Sequence, residues 1–215
     1  MDGTTTTPLS GRKAQAARND QLILDAARAV FIADPTAPIS AVAERAGVGI
    51  SALYRRYASK EDLLRKLCGD GLRRYLDAAE EMLADDGDAW EAFARFMRNL
   101  VDADTNSLTQ RLAGTFVPTE ELYRDAARAQ ELNEQIFARV RAAEAVRPDF
   151  DVNDLSLVLE QLASVRLGDE DRTRELRHRY LTLFLDGLRQ PSPTPLPGSP
   201  PTWAELGERW NPERP

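Results

Sequence analysis

Ser51, Tyr54, Arg55 and Arg56 fall on the outer side of a short segment, Ile50 to Tyr57, whose Leu53 and Tyr57 mark its inner side. Hydroxyls and guanidinium forks in that order are hydrogen-bond donors with few acids beside them, and an arginine fork can pair bidentately with a guanine edge. Lys60 follows at the first position of a helix for which Ser59 is the expected N-cap; a charge beside free amide donors suits a phosphate. Ser40, near the start of the preceding helix, adds another candidate phosphate contact. The chemistry these residues point to is recognition of double-stranded DNA.

Bond-making chemistry finds no comparable set. The chain holds no G-x-S-x-G, phosphate loop or G-x-G-x-x-G, and its acidic pairs Glu80-Glu81 and Glu120-Glu121 diverge on helix surfaces. With His178 as its one histidine and Cys68 as its one cysteine, the usual structural zinc sets cannot be assembled within the chain. Asp149, Asp151, Asn153 and Glu160 approach the spacing of a calcium loop, but Asp154 stands where that loop needs glycine and the following residues read as continuous helix. They are read as acids at a helix N-terminus. Cys68 lies in an apolar stripe, as a buried and inert thiol does; the alternative is an oxidant-sensing thiolate stabilised by Arg65 and Lys66, which are near in sequence. No cofactor and no metal is expected.

The donors need a scaffold, and the flanking pattern supplies one. Ile39, Val42, Ala43 and Ala46 recur at the period of one helix face, and Gly47 closes that helix with a residue tolerant of positive φ. Two short helices around a tight Gly-containing turn make a helix-turn-helix, which presents the outer face of its second helix to the major groove. Ahead of it, the pairs Leu22-Ile23, Ala26-Ala27 and Val30-Phe31 predict an amphipathic helix over residues 18–33 able to pack across the motif.

The string A-E-R-A-G-V-G-I-S-A-L-Y-R-R-Y-A-S-K-E-D-L-L resembles the amino-terminal signature of the TetR (tetracycline-repressor) family of transcriptional regulators, and L-I-L-D-A-A-R-A-V-F is similar to that family's first helix. The specific likeness runs from Arg18 to Leu67; the rest agrees in length and helical character. Pro38 replaces the Thr or Ser that often caps the second helix, Arg56-Tyr57 replaces a frequent His-Phe pair, and Asp34-Pro35-Thr36-Ala37 replaces a Gly-bearing loop. The resemblance implies a repressor whose DNA binding a small effector relieves from a site between helices of the carboxy-terminal body.

The net charge of −7 over 215 residues conceals an asymmetry. Residues 1–66 carry ten Lys or Arg against seven Asp or Glu, and the remainder 18 against 28. Exposed charges beyond ~10 Å are screened, so a basic head on an acidic body is compatible with DNA. The lone cysteine suits a reducing cytoplasm, no apolar run approaches a membrane span, and the start lacks the apolar core of a signal peptide. A cytoplasmic protein without a membrane partner is expected.

The whole reads as all-α, about nine helices, in four parts: residues 1–17 a disordered basic arm whose Arg12, Lys13 and Arg18 could instead enter a minor groove; 18–66 the DNA-binding domain; 67–189 an effector-binding and dimerisation body; 190–215 a Pro-rich tail. A long helix from Lys60 to Ala84, weakened by Gly69 and Gly71, links head to body. Aromatic and flexible side chains on consecutive body helices, Phe93, Met97, Leu112, Phe116 and Tyr123, are the candidate lining of a pocket for a small apolar effector. The segments 155–167 and 176–188 are apolar on more than one face, which predicts a homodimer formed through Leu155, Leu159, Leu162, Leu181, Phe184 and Leu185. In the tail, Thr202 and Glu205 make a capping box ahead of Trp203, Leu206 and Trp210, a stripe expected to pack on the body. The function expected is sequence-specific transcriptional regulation at an inverted-repeat operator. A helical interaction module without DNA readout, or an enzyme working in the apolar body, are the alternatives; loss of a salt-sensitive DNA shift after removing Arg55 and Arg56, or turnover of a bound compound, separates them.

Overall fold

The computed structural model describes residues 11–189, 194–208 and 210, with side chains from Arg18 onward except at 105, 106, 109 and 110. The expected arm at 1–10, the side chains of Arg12 and Lys13, and the start and end of the tail lie outside the described residues. Among the described residues the structure is helical, with one isolated bridge between Val146 and Arg189. The helices are α1 (Gly11–Ala33), α2 (Ile39–Ala46), α3 (Ile50–Arg56), α4 (Lys60–Ala84), α5 (Ala89–Asp102), α6 (Thr105–Leu112), α7 (Glu120–Ala142), α8 (Asp154–Ser164), α9 (Glu170–Leu188) and α10 (Trp203–Glu208). α1 begins ahead of the expected Arg18, so residues 11–17, read as a disordered arm, have helical backbone. The chain divides into two compact units, Met1–Leu64 and Arg65–Pro215.

In the first unit, α1 packs along α2, and α2 against α3. Ile23, Ala26, Ala27 and Phe31 of α1 bury their side chains with Val42, Ala43 and Leu53. Those are the inward positions that the apolar period requires. Leu22 is the exception among the expected pairs and faces solvent. Gly47 takes φ +65, and its N–H bonds to Ala43 O and Glu44 O, closing α2 in the left-handed conformation that glycine adopts without a Cβ penalty. Pro38 supplies no side-chain cap to α2, but its missing N–H is one that a helix start leaves unpaired in any case. Ser59 does cap α4: its Oγ accepts from Asp62 N at 3.1 Å.

The second unit is built around an aromatic chain. Phe93 meets Phe137 edge-on at 5.9 Å between centroids, Phe137 stacks on Phe150 at 5.6 Å, and Phe150 leans on Phe184 at 5.7 Å. Offset and edge-on rings are the favoured geometries, worth about 0.5–1.5 kcal/mol each beyond burial. Phe93 and Met97, expected to line a pocket, are instead fully buried members of this core, and Leu112 is buried as well. An aromatic stripe on α5 fills the bundle rather than hollowing it.

The expected dimer contacts need the same correction. Leu155, Leu159 and Leu162 of α8, and Leu181 and Leu185 of α9, are buried in the chain's own core, because α8 and α9 pack on each other and both on α5. Half-buried Phe184 also leans on that core through Phe150. The apolar side chains these helices leave in solvent are Leu157 (38% exposed), Tyr180 and Leu183 (61%).

Asp104, between α5 and α6, has φ +47, a conformation that costs a non-glycine residue of order 1–3 kcal/mol. Its carboxylate repays this by accepting from Ser107 Oγ and, at 2.7 Å, from Arg177 Nη1. Arg177 is buried and also donates to Ala163 O at 2.9 Å and Val165 O at 3.2 Å. One guanidinium thereby ties the α5–α6 corner to the end of α8 and to α9, its charge compensated by the acid and the carbonyls.

Candidate DNA interface and effector cavity

The outer face of α3 presents Ser51, Tyr54 and Arg55 to solvent, with Tyr54 48% exposed. Their orientation follows from Leu53, which is fully buried, and from Tyr57, whose N–H bonds back to Leu53 O at 2.9 Å to end the helix. A residue one or two places from a buried anchor on a helix must point away from it. Ser51, Tyr54 and Arg55 make no side-chain hydrogen bond or ion pair among the described residues, so their donors are available to a partner. Ser40 is likewise exposed, in the first turn of α2.

Arg56 behaves differently from its neighbour. Its Nε and Nη2 donate to the two oxygens of Asp20 on α1 at 2.7 and 2.8 Å, a bidentate pair, while Tyr57 Oη donates to Asp20 Oδ1 at 2.7 Å. The hydrogen bond to Asp20 raises the Arg56 pKa further, and burial followed by Asp20 holds the Tyr57 hydroxyl well above its ordinary value. This guanidinium clamps α3 to α1, and Asp20 neutralises the positive charge it would otherwise offer to a phosphate. Sequence pattern alone grouped Arg56 with the readers because its partner lies far away in sequence, on the opposite helix.

Lys60 is also turned inward. Its ammonium donates to Pro35 O at 2.9 Å and Ala37 O at 2.8 Å, and it lies over the Phe31 ring at 5.0 Å. Those two carbonyls belong to the α1–α2 loop, which Asp34 shapes by accepting from Thr36 N and Thr36 Oγ1 at 2.8 and 2.7 Å. The Thr36 hydrogen bonds hold the Asp34 carboxyl below its usual range. A phosphate at Lys60 must therefore share the ammonium with two backbone oxygens.

The second unit contains a cavity of about 250 Å³. Its floor is α4 and α7: Cys68, Leu72 and Tyr75 from one, Leu122, Ala126 and Asn133 from the other. Gly71, Ala126 and Ala129 are the small residues of its lining on these two helices. Phe116 and Tyr123, both anticipated, do line it; Trp203, Leu206 and Trp210 of the tail complete the wall. Tyr75 Oη donates to Asn133 Oδ1 at 2.6 Å, and burial pushes the Tyr75 hydroxyl above its ordinary pKa despite that bond, so it stays a neutral donor. The lining is mostly apolar with a few polar groups, Gln130, Asn133, Ser156 and Glu160, the composition of a small-molecule site. Asp149 and Asp154, read as helix-start acids, are engaged locally: Asp149 pairs with Arg147 at 2.6 Å and Asp154 accepts from Asp151 N at 2.8 Å.

Comparison with known proteins agrees with both units. The family profile of bacterial regulatory proteins, tetR family, matches residues 23–67, and that of the SbtR-like transcriptional regulator C-terminal domain matches residues 85–190. No curated protein matches the chain. Among solved structures, a TetR transcription regulatory protein from Mycobacterium vanbaalenii is 29% identical with a TM-score of 0.54, over 82% of this chain and 98% of its own. A TetR transcriptional regulator from Streptomyces coelicolor is 26% identical with a TM-score of 0.55, over 80% and 99%. The TetR-like regulator LfrR from Mycobacterium smegmatis, solved in complex with proflavine, shares the fold at 24% identity and a TM-score of 0.56, over 77% and 95%.

Proposed function

Given that this chain belongs to the tetR family of bacterial regulatory proteins, a family of DNA-binding transcriptional regulators, we propose that it is a homodimeric repressor released from an inverted-repeat operator by a small apolar effector. The observation that carries the DNA half of this reading is the unpaired donor set of α3, Ser51, Tyr54 and Arg55, held outward by buried Leu53. Arg55 reads a guanine edge, worth about 1–3 kcal/mol of discrimination. Ser51, Tyr54 and Ser40 contact bases or the adjacent backbone, while Arg56 holds the reading helix against α1 and Lys60 ties the start of α4 to the α1–α2 loop.

Two copies associate through the solvent-facing apolar residues of α8 and α9, Leu157, Tyr180 and Leu183, which as a monomer's surface would be an exposed apolar patch. Each copy places one α3 in a major groove, so the half-sites lie about one helical turn, ~34 Å, apart or slightly more. The effector occupies the cavity between α4, α7 and the tail. That cavity includes Cys68, Leu72 and Tyr75, which share α4 with Leu63 and Leu64 of the head's core. An effector that binds better to one arrangement of α4 biases the spacing of the paired heads and with it operator affinity. The proflavine complex of LfrR supports a small aromatic compound as the kind of molecule such a body accepts. No helix among the described residues is long and apolar enough to cross a membrane, which is consistent with work on DNA in the cytoplasm.

Selection of binding sites from a random DNA pool tests the reading. A two-fold symmetric motif is expected; enrichment of no motif, or of an asymmetric one, contradicts it.

A further inference from the structure

The wall that closes the cavity is made by a segment beyond residue 190, where the match to the SbtR-like domain ends. That segment is fastened at two places. Near its start, Leu196 N donates to Asp149 Oδ2 at 2.8 Å, Arg147 Nη2 donates to Thr194 O, and Arg147 holds Asp149 itself at 2.6 Å. At its end, the ring of Trp210 meets Phe116 edge-on with centroids 6.0 Å apart, and Leu206 is buried. Between them the capping box sets α10: Thr202 N donates to Glu205 Oε2 at 2.7 Å, and Glu205 N to Thr202 Oγ1 at 3.2 Å. A tail that only trails from its domain has no such fastenings at both ends.

With this segment seated, room for a ligand remains, so the tail walls the cavity and does not fill it. We infer that residues 194–208 and 210 are a built part of the ligand site, and that the site takes a flat aromatic molecule held between the tail and the α4–α7 floor. The chemistry follows from the lining. Phe116, Tyr123, Trp203 and Trp210 offer ring faces and edges, while half-buried Tyr75 and its acceptor Asn133 offer one point for a polar substituent. A ligand that touches both walls is bound more tightly when the tail is seated, and by linkage its presence holds the tail in place. This inference rests on the cavity being the effector site.

The neutral fluorescent probe N-phenyl-1-naphthylamine tests it on the full-length protein. One probe per chain should bind with blue-shifted emission. Filling the floor with Ala126→Trp should abolish binding; Ala126→Leu serves if the indole lowers the melting temperature. The tail variant Leu206→Asp/Trp210→Ala should keep the far-ultraviolet circular dichroism spectrum but weaken the probe about tenfold or more, the loss expected from an aromatic contact and its buried area. Saturating probe should also slow limited proteolysis within 194–210 in the wild type. If the floor variant abolishes binding while the tail variant binds within twofold of wild type and proteolysis is unchanged, the inference about the tail is overturned and the cavity reading stands. A wild type that binds no probe, or a floor variant that binds like wild type, overturns both.

Discussion

Removing Asp20 should loosen the reading helix without touching any residue that faces DNA. Asp20 accepts from Arg56 Nε and Nη2 and from Tyr57 Oη, so Asp20→Ala breaks the bidentate pair and strands a hydroxyl. The Arg56 side chain is 57% exposed, and solvent screening limits its share to about 1 kcal/mol or less. Tyr57 is 7% exposed, and a buried hydroxyl left without its acceptor costs about 1–3 kcal/mol. The total, about 1–4 kcal/mol, falls on the helix-turn-helix. The three tryptophans, Trp90, Trp203 and Trp210, all lie in the second unit, so fluorescence does not report the head and amide hydrogen exchange is the assay of choice. The Tyr57 amide, bonded to Leu53 O, should lose about 5- to 700-fold protection, since each 1.4 kcal/mol is tenfold. Arg56→Ala alone should cost about fivefold or less. Asp20→Ala/Tyr57→Phe, which has no hydroxyl to strand, should be protected better than Asp20→Ala. Protection within twofold of wild type in Asp20→Ala, or no recovery in the double variant, refutes the assignment of the cost to the hydroxyl.

Lys60→Met should lower the melting temperature of the head by removing two carbonyl partners, about 1–3 kcal/mol, while leaving the salt dependence of DNA affinity nearly unchanged; a slope that flattens by about one unit would show that Lys60 contacts a phosphate instead. Leu183→Glu should give folded monomers in sedimentation, whereas Leu181→Glu, buried in the chain's own core, should unfold the body; a dimeric Leu183→Glu places the interface elsewhere. The carboxyl of Asp149 is held below the ordinary carboxylate value by Arg147 and then by the Leu196 amide, so its contribution to tail seating is complete above the unfolded value of about 4 and is lost as pH falls below it. Proteolysis of residues 194–210 by an acid-active protease should therefore accelerate on acidification in the wild type, and much less so in Asp149→Asn.

Much of the head was legible because its determinants are local. The period of Ile39, Val42 and Ala43, the positive φ of Gly47 and the Ser59 cap each act within a turn or two of chain. What escaped the sequence was pairing across distance: nothing beside Arg56 or Lys60 signals that Asp20, Pro35 and Ala37 claim their donors. The cavity escaped for a different reason. Its lining includes small residues, Gly71, Ala126 and Ala129, which carry no conspicuous signal in a sequence, whereas large aromatics such as Phe93 draw attention but fill the core. The breadth of the α8 and α9 stripes was real, yet most of it is consumed by packing on α5 and on each other, leaving Leu157, Tyr180 and Leu183 outside. The capping box and stripe of the tail were readable, since a Thr-x-x-Glu start and apolar i, i+3, i+7 spacing need no tertiary knowledge; the surface they meet was not.

The central claim is that α3 reads sequence through Arg55 while Arg56 holds the helix. It is tested most directly by measuring the affinity of wild type, Arg55→Ala and Arg56→Ala for the selected operator and for the same operator with single base pairs changed. The account predicts that Arg55→Ala loses about 1–3 kcal/mol on the operator and no longer discriminates at one base pair of each half-site, while Arg56→Ala keeps the wild-type preference at every position. Undiminished discrimination in Arg55→Ala, or loss of it in Arg56→Ala alone, would contradict it.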